Sequence, residues 1–535
     1  LGRLARPDHP GLPNMVIGDL KYKYSGGFGS LPIHRQLLLA QLDQCLDLMP
    51  DLLTNTGFVN AYLAKLRPGE DVNWEYDLVE KKAFLDRLYA FTKRLPPVHN
   101  SLKAHVIYSR LDFDRQEGVY NKDLFMEYIK LPRQVFYMNR EYLAKEANAR
   151  YPVDLNANFK DATTLNPIGS DEPIVRDYLQ RILLNAKGFD EFSEYIESTY
   201  LKEAFAEAKI VNGIGDMEEW YSLLPAEKYN ALKERVDLEL LPVNRKVFGT
   251  ADKVTLQAAI KNVNTLIVKI FKLNTLNFYK EKGQDIGTGI DLDGLVANEE
   301  KVVKYTQVPL RRHVESFEFS SIKEPGIYVV EMIGNGVSSR ALVRKGRLTF
   351  SQRVGSAGHV FTIYDEENRR VKDATLWMAG REYKPDEKGE IVVPFSNQPG
   401  TEKIMLCRGS FSTLEQFQPQ TEAYSLRAGF FADVESLLAD RTCRLIVRPQ
   451  LTMNGILVDI GLLQEAVFTI RTTDNEGIST AKDIPDFKLQ NDRESVYEFK
   501  VPEKLSNMAF TLRGKVENLI STVSGLICNY QCLIF

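Results

Sequence analysis

The chain has 535 residues, of which 44% are hydrophobic and 26% charged, and its 68 basic and 72 acidic side chains leave a net charge of −4. At about 150 residues per domain this length predicts roughly three to five folded units. The charge balance offers no clustered basic face of the kind nucleic acid selects, and no uncharged run of about 20 apolar residues is present to span a bilayer, so neither partner is expected.

Residues 1–33 are rich in Gly and Pro and read as a loop-rich N-terminal segment. They begin at Leu1 without an apolar signal core, as an internal piece of a longer protein would. A helical domain is expected over 34–150. Leu38, Leu42, Cys45, Leu46 and Met49 recur on one face at helical spacing. Phe84, Leu88, Phe91 and Leu95 form a second stripe, stopped by Pro96-Pro97, and a third helix follows from about Val98 to Leu111. Residues 150–170 are polar and irregular and read as a linker. A second helical subdomain is expected over 170–245. Ser170-Asp171-Glu172-Pro173 opens it, because acidic side chains oppose the helix dipole at an N-terminus. Leu179, Ile182, Leu183 and Ala186 share a stripe, Phe192, Ile196 and Tyr200 continue a helix beyond Gly188, and Pro225 opens a short helix through Leu232 and Val236. No repeat of about 34 or 40 residues supports a helical solenoid.

Near Lys246 the rhythm changes from helical to alternating. Val254, Leu256, Ala258 and Ile260 alternate with Thr255, Gln257, Ala259 and Lys261, as in a half-buried strand. Leu266 to Phe271 is a more continuous apolar strand, and Gly326 to Ile333 is β-branched and aromatic up to the turn Gly334-Asn335-Gly336. These define a first β-sandwich over 246–347. A second, over 348–422, holds strands Val360 to Tyr364, Ala374 to Met378 and Glu390 to Pro394. A third, over 423–517, includes Leu445 to Val447, Val467 to Thr472 and Met508 to Leu512. Asp386-Glu387-Lys388-Gly389 and Asp474-Asn475-Glu476-Gly477 suit type I turns, in which Asp caps a backbone N–H and Gly relieves the exit geometry. The fold class is therefore multidomain α plus all-β, a helical N-terminal region followed by tandem antiparallel immunoglobulin-like sandwiches. Residues 518–535 form an atypical tail whose composition breaks from what precedes it.

Chemical motifs are sparse. The six histidines, His9, His34, His99, His105, His313 and His359, make no His-Glu-x-x-His, and no Cys-x-x-Cys is present. The five cysteines, Cys45, Cys407, Cys443, Cys528 and Cys532, read as buried free thiols, with a Cys407–Cys443 bridge between modules as the alternative. Ser25-Gly26-Gly27-Phe28-Gly29-Ser30 precedes a helix as an anion cradle would, but lacks the Gly-Lys-Ser/Thr ending of a P-loop. Asp112 to Val119 with Asp123, and Asp291-Leu292-Asp293-Gly294 with Glu300, approach calcium loops, each with its glycine or first aspartate misplaced. Gly-x-Ser-x-Gly is absent. Trp220, Trp377 and the 24 tyrosines are expected in packing, with a sugar platform as the alternative. No catalytic, cofactor-binding or metal-binding residue is singled out.

Val360-Phe361-Thr362-Ile363-Tyr364-Asp365, followed by Val371 to Leu376 and Asp386-x-x-Gly389, resembles the strand and turn skeleton of macroglobulin-like domains in bacterial α2-macroglobulin proteins. Gly326-Ile327-Tyr328-Val329-Val330 looks like the closing strand of a preceding domain, and Phe431-Ala432-Asp433 through Arg448 like a degenerate opening strand. The resemblance covers the C-terminal half only. It implies an extracytoplasmic scaffold (secreted, periplasmic or in the cell envelope) that binds protein partners, proteases among them, as in a protease trap. None of the five cysteines is followed by Gly-Glu-Gln, so the family's thioester does not carry over. The expectation is a non-enzymatic binding segment without cofactor. Its rivals are a hydrolase or glycan-processing enzyme with a helical catalytic part, and a carbohydrate-binding surface protein.

Overall fold

The structure, a computed structural model, describes residues 7–69, 74, 77–355, 357–396, 400–517 and 524–533. The expected rhythm change is real: helices dominate to Glu234 and strands follow from Asp237.

The helical half is built on two apolar cores. Helix Leu78–Thr92 starts on Asp77, whose carboxylate accepts the N–H groups of Val79 and Glu80 at 3.0 Å, satisfying donors that have no intrahelical partner. It buries Phe84, Leu88 and Phe91, with Leu95 just beyond its end. The stripe on helix Leu39–Leu48 buries Leu42, Cys45 and Leu46, whereas Leu38 is exposed. These side chains make the first core together with Leu12, Val16 and Ile17 of helix Leu12–Leu20, so the segment expected as loop over 1–33 carries a packed helix. The second core gathers Phe125, Tyr178, Leu179, Phe192, Ile196 and Leu201. Phe192 lies in a 3-10 turn, and only at Ser198 does the next helix begin, so the stripe read beyond Gly188 is a folded-back loop rather than a helix. Helix Asn100–Gln116 serves both cores, giving Leu102, Val106 and Phe113 to the first and Ala104, Ile107 and Leu111 to the second. Residues 150–170 are not a free linker either: Val153 and Leu155 enter the second core and Leu165 the first.

Three sandwiches follow. In the first, Thr255–Lys261 lies between Asp237–Leu240 and Arg312–Glu318. The opposing sheet runs Val247–Phe248, Val337–Lys345, Gly326–Gly334, Thr265–Leu273, Glu299–Lys304. The Asp237–Leu240 strand precedes the expected onset at residue 246, and Val247–Phe248 pairs in parallel with Val337–Lys345 in an otherwise antiparallel module. Gly326–Gly334 is buried along nearly its whole length because Tyr328, Val330 and Met332 fill the sandwich while Ile327 and Val329 fill a second cluster outside it. The continuous apolar run reports both covered faces.

The second sandwich packs Glu390–Val393, Gly358–Tyr364 and Thr349–Gly355 against Arg381–Tyr383, Thr375–Met378, Glu402–Arg408 and Phe411–Phe417. The third packs Tyr424–Ala432 and Thr442–Met453, the latter also paired with Ile456–Val458 and Ser495–Lys500, against Ser479–Pro485, Leu463–Asp474, Leu505–Val516 and Ser524–Leu533. The last strand comes from the expected tail and pairs antiparallel from Ser524 opposite Val516 to Leu533 opposite Asn507. Residues 518–523, 534 and 535 of that tail lie outside the described residues.

The Asp-x-x-Gly turns form as expected. Asp386 accepts the N–H groups of Lys388 and Glu390 on one carboxylate oxygen, and Gly389 sits at φ +74°. Asp474 does the same with Glu476 and Ile478, with Gly477 at φ +83°. Asp365 repeats the turn with Asn368 at φ +58°, since Asn is the next residue to tolerate that region.

Candidate functional site

The residues with chemical potential are spent on structure. The Ser25–Ser30 loop folds onto His34: the Gly29 N–H donates to His34 Nδ1 at 2.9 Å, the Gly27 N–H to Ser25 Oγ at 3.1 Å, and Phe28 stacks on the imidazole at 4.7 Å. Its amides are turned inward rather than left to cradle an anion. Asp112 and Asp114 lie within helix Asn100–Gln116, where Asp112 pairs with Arg115 at 2.8 Å and Asp114 with Arg110 at 3.0 Å. Asp291 accepts the Asp293 N–H, and Glu300 stands on an edge strand 3.7 Å from Lys269. Among the described residues no group of three or more His, Cys, Asp or Glu is disposed to hold a metal ion.

His34, His99, His105 and His359 are buried, and burial holds each imidazole below its usual value of 6.5. Burial pushes the Cys45 thiol up to about 11, the opposite of an activated nucleophile. Cys45, Cys407 and Cys443 are free thiols in three separate clusters, so the Cys407–Cys443 bridge is not formed. Trp220 packs edge-on against Phe205 and donates Nε1–H to the Ile214 carbonyl at 2.7 Å. Lys280 Nζ lies 3.6 Å from the centre of the Trp377 ring. Neither indole is a bare sugar platform.

What the fold does build is three junctions of different character. The first joins helices to sandwich through charge. Glu207, buried on helix Ser198–Asn212, pairs with Arg176 and, at 2.8 Å, with Arg235. Arg235 also clasps Asp237 at 2.6 Å, and the buried Lys261 donates to the Arg235 carbonyl at 2.6 Å. A chain of alternating charge thus runs from the helical core into the paired strands Asp237–Leu240 and Thr255–Lys261. Arg311 extends it sterically: its guanidinium fills the space a side chain at Gly213 would need, at the left-handed end of the same helix.

The second junction is apolar. Phe271, Leu273, Tyr279, Ile327 and Val329 of the first sandwich share one cluster with Met405 and Cys407 of the second, bridged by helix Thr275–Lys282. The Thr250 N–H donates to Glu366 at 2.8 Å and the Ser412 N–H to Thr275 Oγ1 at 3.1 Å across the same contact. The third junction is a hydrogen-bonded linker. Asn454, at φ +48°, donates to the Thr421 carbonyl at 3.0 Å and accepts the Ala423 N–H at 3.1 Å. The Gln420 N–H donates to His359 Nε2 at 3.0 Å, while Nδ1 faces the Gln352 amide. An open groove lined by Gln418 to Thr421 and Asn454 marks this joint.

Sequence periodicity missed Glu207, Arg235 and Lys261, and also Arg133, which is wholly buried beside Asp171 in the second helical core. The one available signal was a charged residue inside an apolar run, as at Glu207 between Ala206 and Ala208.

Comparison with known proteins assigns the architecture. Residues 1–236 match the family model for the Actin-binding protein F N-terminal domain, residues 266–346 that for the AbpF first immunoglobulin-like domain, and residues 433–525 that for the AbpF third immunoglobulin-like domain. The chain is 31% identical over 524 residues, 96% of its length, to Actin-binding protein F of Dictyostelium discoideum, and spans 22% of that relative's length. Among solved structures, Escherichia coli alpha-2-macroglobulin activated by porcine elastase shows 10% identity and a TM-score of 0.19 over 55% of this chain and 35% of that one. A tetra-tandem repeat in the extending region of a large adhesion protein shows 12% and 0.18 over 56% and 74%. At those scores neither carries an argument about kinship.

The chain is a helical N-terminal region followed by immunoglobulin-like sandwiches. The non-enzymatic expectation agrees with the matches, which are to domains of a binding protein. The macroglobulin resemblance is corrected: the similarity runs through the helical half as well and points to the actin-binding protein. With it fall the protease trap, the protease partners and the secreted, periplasmic or envelope location, all of which rested on that resemblance.

Proposed function

We propose that this chain is an actin-binding, non-enzymatic segment of a cytoskeletal protein of the cytoplasm, with the actin filament as its partner. The observation that carries this reading is the similarity to Actin-binding protein F, which extends over 96% of the chain and keeps the helical domain and the immunoglobulin-like modules in order. The placement of the Cys45, Cys407 and Cys443 thiols in separate cores suits a reducing compartment. On this reading the units are a helical domain to residue 236 and sandwiches over 237–347, 348–422 and 423–533. The middle sandwich stands where a second immunoglobulin-like module would lie between the first and the third.

Co-sedimentation with filamentous actin tests the proposal. The chain is expected in the pellet with saturable dependence on filament concentration, and in the supernatant when filaments are omitted. A chain that stays soluble at every filament concentration, while its circular dichroism shows it folded, overturns the reading.

A further inference from the structure

The two outer faces of the third sandwich are unlike. On the sheet of Leu463–Asp474 the outward side chains bond to one another: Thr469 and Arg513 both reach Asp483, at 2.6 and 2.7 Å, and Thr473 meets Ser479 at 2.8 Å. On the described strands of that sheet these polar groups are paired with one another. On the other sheet, Phe431 stands opposite Ile446, and Ile446 opposite Val496. Directly opposed side chains in a ladder lie about 5 Å apart, so the three form one apolar row straight across three strands. The row faces out: the inward set on the same strands is Leu426 and Phe430, Leu445 and Val447, and Ser495. Phe431 is 64% exposed and Val496 40%.

Arginines frame the row. Arg444 is two residues along the central strand on one side, Arg448 two on the other, and Arg427 stands further along the neighbouring strand opposite Gln450. Arg448 lies 3.5 Å from Glu494 in a largely exposed pair, which contributes little in water. Glu498 is opposite Arg444 in register. Arg427 and Arg444 have no ion pair within 4.0 Å among the described residues. An exposed aromatic with arginines around it is the composition of a binding hot spot, and guanidinium groups recognise carboxylates in paired geometry.

The chain covers such faces elsewhere. The outer surface of the first sandwich, with Ile327 and Val329, is sealed by helix Thr275–Lys282 and the second sandwich. We infer that the Phe431–Ile446–Val496 row with Arg427, Arg444 and Arg448 is a docking surface for an acidic protein surface that presents carboxylates around an apolar side chain. Resting on the actin reading, that surface belongs to the filament.

The test is filament co-sedimentation of the whole chain and of three variants at two salt concentrations. Phe431→Ser and the double variant R427E/R444E are expected to weaken binding at least about tenfold, and the double variant to flatten its salt dependence. Lys515→Glu, on the opposite face beside Glu465, is expected to bind as the unaltered chain does. All altered positions are exposed, and unchanged melting confirms the fold of each variant. If the unaltered chain binds filaments and both patch variants bind equally well, the docking surface is overturned and the actin reading stands. If the unaltered chain does not bind filaments, the actin reading and this occupant fail together. If ultracentrifugation shows the chain pairing with itself through Phe431, the occupant is a second copy and the proposal is overturned.

Discussion

Removing the Asp171 carboxylate measures what holds the second helical core. Arg133 is wholly buried, and its Nε lies 2.9 Å from Asp171 Oδ2, which is equally inaccessible. The guanidinium also donates to the carbonyls of Tyr128 and Leu131 and lies 4.3 Å from the centre of the Tyr128 ring, while the Tyr128 hydroxyl donates to Asp171 at 2.7 Å. Asp171→Ala leaves a buried cation without its counter-ion and a phenol without its acceptor. Breaking such a pair costs about 3–5 kcal/mol. At about 2–4 °C per kcal/mol for a unit of this size, the helical transition should fall by roughly 6–20 °C. Thermal loss of the helical circular dichroism signal reads this out, because the helices are concentrated before residue 235. Replacing both partners, R133M/D171L, removes the charge and its desolvation together and should restore most of the loss. Added salt should change little, since solvent ions do not reach the pair. A loss below about 1 kcal/mol for Asp171→Ala, or a double variant as damaged as the single, would refute the reasoning.

Three further outcomes follow from the junctions and turns. Glu207→Gln takes the shared anion from between Arg176 and Arg235, each 38% exposed. With that exposure discounted the cost should be about 1–3 kcal/mol, and proteolysis near Arg235 should accelerate; an unchanged cleavage rate would count against a charge-built joint. Acidification should destabilise the second sandwich through His359. Burial holds its folded value below 6.5, so the unfolded chain binds protons first, and stability is complete above that pH and lost as pH falls below it. The loss of stability on acidification should shrink in His359→Gln; equal slopes in calorimetry between pH 7 and 5 would discount the histidine. Gly358 adopts φ +135°, and a Cβ there would meet the Val393 carbonyl oxygen at 2.2 Å. Gly358→Ala should therefore cost about 2–4 kcal/mol from strain and overlap together, measured by urea unfolding of the whole chain.

The sequence showed architecture more clearly than relationship, for one physical reason. Side-chain periodicity and the Asp-x-x-Gly turn are imposed by backbone geometry, so Phe84, Leu88, Phe91 and Leu95 or Asp386 and Gly389 are legible wherever they occur. The same generality misled the family reading. An aspartate that caps two amides ahead of a left-handed glycine serves any antiparallel sandwich, so Val360 to Gly389 says immunoglobulin-like and does not distinguish macroglobulin from other lineages. The buried charges were illegible because their partners are distant in sequence: Arg133 meets Asp171, and Glu207 meets Arg176 and Arg235. Asp171 was correctly placed at a helix start, but its carboxylate accepts no cap hydrogen bond there and serves Arg133 and Tyr128 instead. The Phe431–Ile446–Val496 row is a register fact, invisible until the strands are aligned.

The three junctions also divide the chain mechanically. Pulling the first and second sandwiches apart exposes Phe271, Ile327, Val329 and Met405 to water, and each fully buried apolar side chain of this kind is worth about 1.5–3 kcal/mol. Separating the first sandwich from the helices costs either Glu207 its pairing with Arg235 or Lys261 its bond to the Arg235 carbonyl. Between the second and third sandwiches, by contrast, linker hydrogen bonds on Asn454 and His359 hold the joint, and water can replace those at a net cost of about 1 kcal/mol each. The helical domain and first two sandwiches are therefore expected to move as one lever about a joint at Gln418 to Ala423. A compliant joint lets the Phe431 face turn to meet a partner without disturbing the buried networks behind it. Were that partner a filament under load, rotation at Gln418 to Ala423 would precede any loss of the Phe271 cluster, so a pulled chain should lengthen at the linker before either sandwich unfolds.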